Sequence, residues 1–553
     1  MKKIFLNNKF ILLFIILIAA FLRLYQLGVN PPSLTWDEVA WGYNAYSLGI
    51  DGKDEFGRFL PHDYLESFGD FKPPVYAYLD IIPVKMFGLN AFSTRLPSAV
   101  FGILTVLMTY FLVREIFPKD KKESEFLALA TSSILAISPW HIMLSRAAFE
   151  ANVSTFFIVT GVWAFLASVQ GKRWLLVLSA ISFVISMYTF NTARIVSPLL
   201  VFILALSFRK QLLANKKATI AAVVVGLLLI LPTVQFLVSP QAGLRFKEVN
   251  IFSDVSVVKR ANQEIANSNN SLISKLVDNR RVLYGIEYVK HYFDNLTPRF
   301  LFISGDGNPK FSTQTVGQMY IWEIIFFVAG ILFLFRKRQG NWWLVPVWLL
   351  VGIVPAATAR ETPHALRIET TLPTFQILVA YGIFWLGSML FEVKSKIAGI
   401  KLSKAITFVF VIVIFANFFY FWRDYTVNYK YDYSGEWQYG YEDSINYVKS
   451  VQDKYDYIQV TNALGRPYIY YLFYNKTNPG EFRNEAKINR DPFGFVDVEG
   501  FGKYKFPNDF EVGKDKNKKV LYIATPYKLP ENARVLKTFY LLDGKPVLVA
   551  YEI

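Results

Sequence analysis

Two neighbouring carboxylates, Asp37 and Glu38, follow Thr35 and Trp36, and basic residues recur at intervals after them. Lys72 stands in Asp70-Phe71-Lys72-Pro73-Pro74 and Arg95 in Ser93-Thr94-Arg95-Leu96-Pro97. Arg146 and Glu150 fall in Ser145-Arg146-Ala147-Ala148-Phe149-Glu150, and Arg360, His364 and Arg367 in Arg360-Glu361-Thr362-Pro363-His364-Ala365-Leu366-Arg367. Carboxylates at such positions move protons, while Lys and Arg stabilise charge developing on a phosphate. No Gly-rich loop follows a strand, so a nucleotide is not the phosphate ligand to expect.

Each residue also has a plainer role to weigh. Thr35 with Glu38 three residues on is a capping box, which gives Glu38 the job of closing a helix that lies on the membrane surface. Asp37 has no such duty; at a helix start the dipole favours its charge, and it is read as chemical. The prolines after Lys72 predict a short helix beginning in the 70–76 stretch, with Lys72 beside free N–H groups as an anion site; the alternative is a lysine snorkelling to lipid headgroups. Arg95 has the same two readings. Arg146 and Glu150, four apart, can pair on one helix, although ionisable residues beside a membrane cavity are costly unless used. His364 is either a metal ligand with Asp37 or Asp70, or a structural hydrogen-bonding group.

The elements that must position these residues are membrane spans. The 553 residues contain no Cys and are 53% hydrophobic, with only 18% charged, below the roughly 25% of soluble domains. Apolar segments open at Phe10 and near Leu96, Phe126, Ala147, Trp174, Ile195, Thr219, Met319, Trp342, Leu366 and Ile406, about eleven spans in all. The net charge of +16 sits mainly in alternate loops, such as those holding Lys2, Lys3 and Lys9, Arg114 to Lys122, Arg209 to Lys217, Arg336 to Arg338 and Lys394 to Lys404. These carry about 20 basic against about five acidic residues, which predicts a cytoplasmic N-terminus and plasma-membrane insertion. The basic balance is a topology signal, and nucleic acid is not an expected partner.

The transmembrane part then covers 1–422, with a first outer loop at 28–93 and a large outer loop at 239–318 that contains Arg245 and Lys247. From 423 to 553 the composition turns polar, and helical and strand patterns predict a small extracytoplasmic α/β domain closed by a hairpin around Asp543-Gly544. Fold class is therefore mainly α, polytopic, with that α/β appendage.

In order and spacing, Trp36-Asp37-Glu38, Asp70-Phe71-Lys72-Pro73-Pro74, Arg95-Leu96-Pro97 and Ser145-Arg146-Ala147-Ala148-Phe149-Glu150 resemble membrane glycosyltransferases of the C-type fold, nearest to protein O-mannosyltransferases and lipid A aminoarabinose transferases. The resemblance implies an inverting enzyme that moves a sugar from a polyprenyl-phosphate donor to a lipid, glycan or protein acceptor at the outer membrane face. It makes Asp37 the base and Glu150 a second acid, and puts Lys72 and Arg95 near the donor phosphate. Apart from the resemblance, Arg367, Arg360 and Arg146 are assigned to the phosphate as cations, and Glu38 is taken with Asp37 as catalytic. Aminoarabinose transferases carry a metal-holding acid just before this lysine; here that residue is Phe71, so a divalent ion would fall to Asp70, one position off, and His364. The competing class is a transporter or lipid flippase, which would place ionisable residues mid-membrane in two related halves; no such halves are visible. A membrane anchor presenting the tail leaves the acids and arginines without a purpose.

Overall fold

The computed structural model describes all residues except 1–7, 119, 240–241, 243–249, 393–395, 398–399, 491–495, 509, 511, 514–516 and 528. Lys2, Lys3, Lys119, Arg245, Lys247 and Lys394 lie outside the described residues. The chain divides into two compact units, one of residues 1–23, 100–145 and 150–421, the other of 24–99, 146–149 and 422–553.

The first unit is helical. In lipid every backbone N–H and C=O must be satisfied within the segment, which uninterrupted Leu, Ile, Val and Phe runs achieve as helices. Five described helices are long and apolar enough to cross a membrane, and six if Lys121–Ile137 and Pro139–Arg146, bent by 57° at their junction, count as one span. Pro139 explains that break, since the residue before a proline is pushed out of the helical region. Leu175–Met187 and Ala193–Ser207 are separate, shorter helices, the division falling at residues 188–192, which include Asn191, while Arg194 lies in the first turn of the second. Helices Glu323–Lys337 and Thr374–Glu392 touch backbone to backbone. A Cβ on Gly330 would lie 1.8 Å from the Leu378 carbonyl oxygen, and one on Gly382 1.9 Å from that of Phe326. The outer segment holds helices Val255–Asn267, Leu272–Val277 and Arg280–Asp294, capped by Asp254, Ser271 and Asn279.

In the second unit the capping box forms as the spacing predicts. Thr35 N–H donates to Glu38 Oε2 at 2.9 Å, and Thr35 Oγ1 accepts from Glu38 N–H at 3.4 Å, opening helix Trp36–Asp51. Strands β1 (Leu65–Ser67) and β2 (Asp70–Lys72) form an antiparallel hairpin, and the next helix begins only at Val75. This corrects the expected helix start: Lys72 precedes Pro73, which disfavours helical backbone there, so the lysine sits on a strand and not on a helical first turn.

The tail contributes β3 (Tyr457–Val460), β4 (Lys487–Arg490), β5 (Val496–Phe501), β6 (Tyr504–Lys505), β7 (Val520–Ala524), β8 (Arg534–Tyr540) and β9 (Pro546–Glu552) to one sheet of order β8-β9-β7-β3-β6-β5-β4. Central β3 runs parallel to both neighbours. The β8–β9 pair is the predicted hairpin, with Gly544 at φ 85° in its turn. Tyr468, Tyr470, Phe473 and Val496 of the tail share one apolar core with Leu34, Tyr43, Phe68 and Val84 of the first outer loop. Tyr470 Oη donates to Leu34 O at 3.0 Å, and ion pairs join Arg490 to Glu66 and Arg483 to Asp51.

Candidate active site

The two adjacent acids are dealt opposite fates by helix geometry. Glu38 is wholly buried. It accepts from Arg95 Nε at 2.8 Å, Arg95 Nη2 at 3.3 Å and the Ala148 N–H at 3.0 Å, besides the cap bond to Thr35. Arg95 is equally buried; its remaining N–H groups reach the carbonyls of Leu27, Pro31 and Ser33. The pair is a clamp that fixes the start of helix Trp36–Asp51, and buried pairs of this kind persist only when fully hydrogen-bonded.

Asp37 points the other way, its side chain 49% exposed, and forms an ion pair with Lys72 from β2, whose side chain is 8% exposed. The Lys72 ammonium also lies 5.2 Å from the Trp41 ring centroid and 5.3 Å from that of Phe68, an aromatic cradle that holds a cation without neutralising it. Close approach behind this helix is made possible by Gly42, where a Cβ would meet Thr94 Oγ1 at 2.5 Å and Phe473 Cε2 at 2.7 Å. The outcome is an accessible carboxylate beside a sheltered cation, both on elements pinned from behind.

Arg146 ends helix Pro139–Arg146, and Glu150 opens the next helix, so the two are not on one helix as their spacing predicted. The Arg146 guanidinium is buried, donating to Tyr25 O at 2.7 Å, Asn30 O at 2.8 Å and Tyr425 Oη at 3.2 Å. Asp70 begins β2, directly opposite Ser67.

The other predicted residues belong to the first unit. Glu150 is half-buried, and its helix packs on the turn Glu369–Thr371, where Glu369 is fully buried. Arg360 Nε donates to Asn250 O at 3.3 Å, and Arg367 Nη1 to Glu361 O at 3.2 Å. The His364 ring packs on Phe311 with centroids 4.9 Å apart, and its Nδ1 lies 3.9 Å from Asp306 Oδ2. Burial and then Arg367 pull the imidazole down to about 3, so it is neutral. Among the described residues no three His, Asp or Glu side chains come together as a metal site.

Sequence reasoning missed Glu369 and Asp306. Asp306 caps the His364 segment by accepting from Ala365 N–H at 2.7 Å, and burial pushes its carboxyl up to about 6. Gly305-Asp306-Gly307-Asn308 is readable as a turn, but a partner 59 residues away is not.

In fold the chain is similar to C-type membrane glycosyltransferases. Residues 71–236 match the family described as dolichyl-phosphate-mannose-protein mannosyltransferase. ArnT from Cupriavidus metallidurans bound to undecaprenyl phosphate superposes with a TM-score of 0.53 over 97% of this chain and 97% of that one, at 13% identity. The Archaeoglobus fulgidus oligosaccharyltransferase tethered with an acceptor peptide gives 0.50 over 86% of this chain and 63% of that chain, also at 13% identity. By sequence, the chain is 26% identical over 174 residues to YkcB of Bacillus subtilis (strain 168), named as a mannosyltransferase, and 29% identical over 215 residues to an uncharacterized protein of Aquifex aeolicus (strain VF5). The matches cover 30% and 38% of this chain and span 22% and 40% of those relatives.

Proposed function

We propose that this multi-pass membrane protein is an inverting glycosyltransferase that takes its sugar from a polyprenyl-phosphate donor on the outer membrane face. The observation that carries the reading is the Asp37–Lys72 pair, an exposed carboxylate against a sheltered cation, at the start of a helix immobilised by Glu38 and Arg95. Asp37 accepts the proton of an acceptor hydroxyl as that oxygen forms its bond to the anomeric carbon. The bond from that carbon to the phosphate oxygen breaks with its electron pair leaving on the phosphate. Lys72 stabilises the resulting monoester anion.

Glu38, Arg95 and Arg146 are then positioning residues, because their polar atoms are engaged inside the protein. No step is assigned to a metal. The similarity of the fold to an ArnT structure bound to undecaprenyl phosphate supports a lipid-linked donor. The loop charges support eleven spans, a cytoplasmic N-terminus and a tail outside the cytoplasm, in the plasma membrane.

The reading is tested by supplying membranes that contain the chain with radiolabelled undecaprenyl-phosphate mannose or, separately, GDP-mannose. Label passing to a lipid, glycan or protein acceptor from the first alone is the expected result. Equal transfer from GDP-mannose rejects the lipid donor.

A further inference from the structure

The outer helices of the first unit leave a set of apolar side chains uncovered. Val257, Ala261 and Leu283 fill the small core between Val255–Asn267 and Arg280–Asp294. On the latter helix, Val282 (37% exposed), Ile286 (55%), Val289 (53%) and Phe293 (60%) recur at intervals of four, three and four, which is one helical stripe. Leu272–Val277 adds Leu272 (80%), Ile273 (75%) and Leu276 (72%). A soluble surface rarely tolerates so many contiguous apolar side chains.

Two tyrosines fix the height of that stripe. Tyr292 Oη donates to the Leu350 carbonyl at 2.7 Å and Tyr288 Oη to that of Val354 at 3.3 Å, both at the end of the apolar helix Leu344–Ile353. Leu350 is itself 46% exposed. The turn carrying Phe293 is therefore level with the exposed apolar side chain of Leu350, and tyrosines are enriched at membrane–water interfaces. Lys275, Arg280, Arg281 and Lys290, all exposed, flank the apolar side chains and suit headgroup phosphates.

We infer that residues 272–293 are an interfacial anchor, with Leu272, Ile273 and Leu276 and the Ile286–Phe293 stripe dipping roughly 5–10 Å into the headgroup–acyl boundary. This rests on the chain being membrane-embedded and stands whether or not it transfers sugar. The absence of Cys makes the test direct. The full chain carrying Leu276→Cys, Phe293→Cys or, as a control on the polar side, Asn262→Cys is labelled with a nitrobenzoxadiazole dye. Each is placed in nanodiscs of phosphatidylglycerol and phosphatidylethanolamine containing acyl-chain spin-labelled lipid. Quenching at 276 and 293 at least about two-fold stronger than at 262 is expected for side chains at that depth. Equal quenching at the three positions overturns the anchor. Protection of 276 and 293 from both spin-labelled lipid and aqueous iodide also overturns it, in favour of a covering protein. Leu276 and Phe293 lie on different helices, so either variant carries the test if the other misfolds.

Discussion

At the scale of residues, adjacent acids meet opposite surroundings because one faces inward and one outward. Asp37→Asn keeps the cap and the clamp, so transfer should fall by about 10²- to 10⁴-fold with an unchanged melting temperature. Arg95→Met leaves Glu38 buried without its cation and should cost about 3–5 kcal/mol, read by thermal unfolding in detergent. The capping box that separates the two acids was legible from Thr35 and Glu38 alone. Arg95 as the partner of Glu38 was not, because the two are 57 residues apart and only the fold joins them.

A pH effect belongs to this scale too. Burial raises both Asp54 and Asp306 from the ordinary carboxyl value of 3.8 to about 6. Between those values the folded protein retains protons that the unfolded chain has lost, so these groups make stability fall as pH rises from about 4 to about 6, with no further change above. Asp306→Asn should flatten part of that slope, checked by melting temperatures at several pH values across the window.

At the scale of elements, backbone rules decided more than periodicity did. Pro73 put Lys72 on a strand, and Pro139 bent a span; both prolines were visible in the sequence, but the first was weighted toward the helix it precedes. The contact of helices Glu323–Lys337 and Thr374–Glu392 depends on Gly330 and Gly382, which no apolar run singles out. Gly330→Ala should destabilise by about 1–3 kcal/mol, because a methyl there meets backbone and not a movable side chain. The tail's helix and hairpin patterns were readable, whereas its common core with the first outer loop was not, since that core pairs residues near 34–84 with residues near 468–496.

At the scale of the whole molecule, composition and charge distribution already pointed to a membrane protein, and the ordered motifs resemble those of C-type glycosyltransferases. The similarity to ArnT over 97% of the chain is one of fold. Span lengths resist sequence reading, because neighbouring helices supply burial that short apolar segments cannot provide alone. The most direct test of the account compares lipid-linked sugars by mass spectrometry in cells that lack the chain and in cells carrying the wild type or Asp37→Asn. The account predicts that a polyprenyl-phosphate sugar accumulates without the chain, is consumed when the wild type is restored, and accumulates equally with Asp37→Asn. Wild-type levels in the Asp37→Asn cells would contradict it.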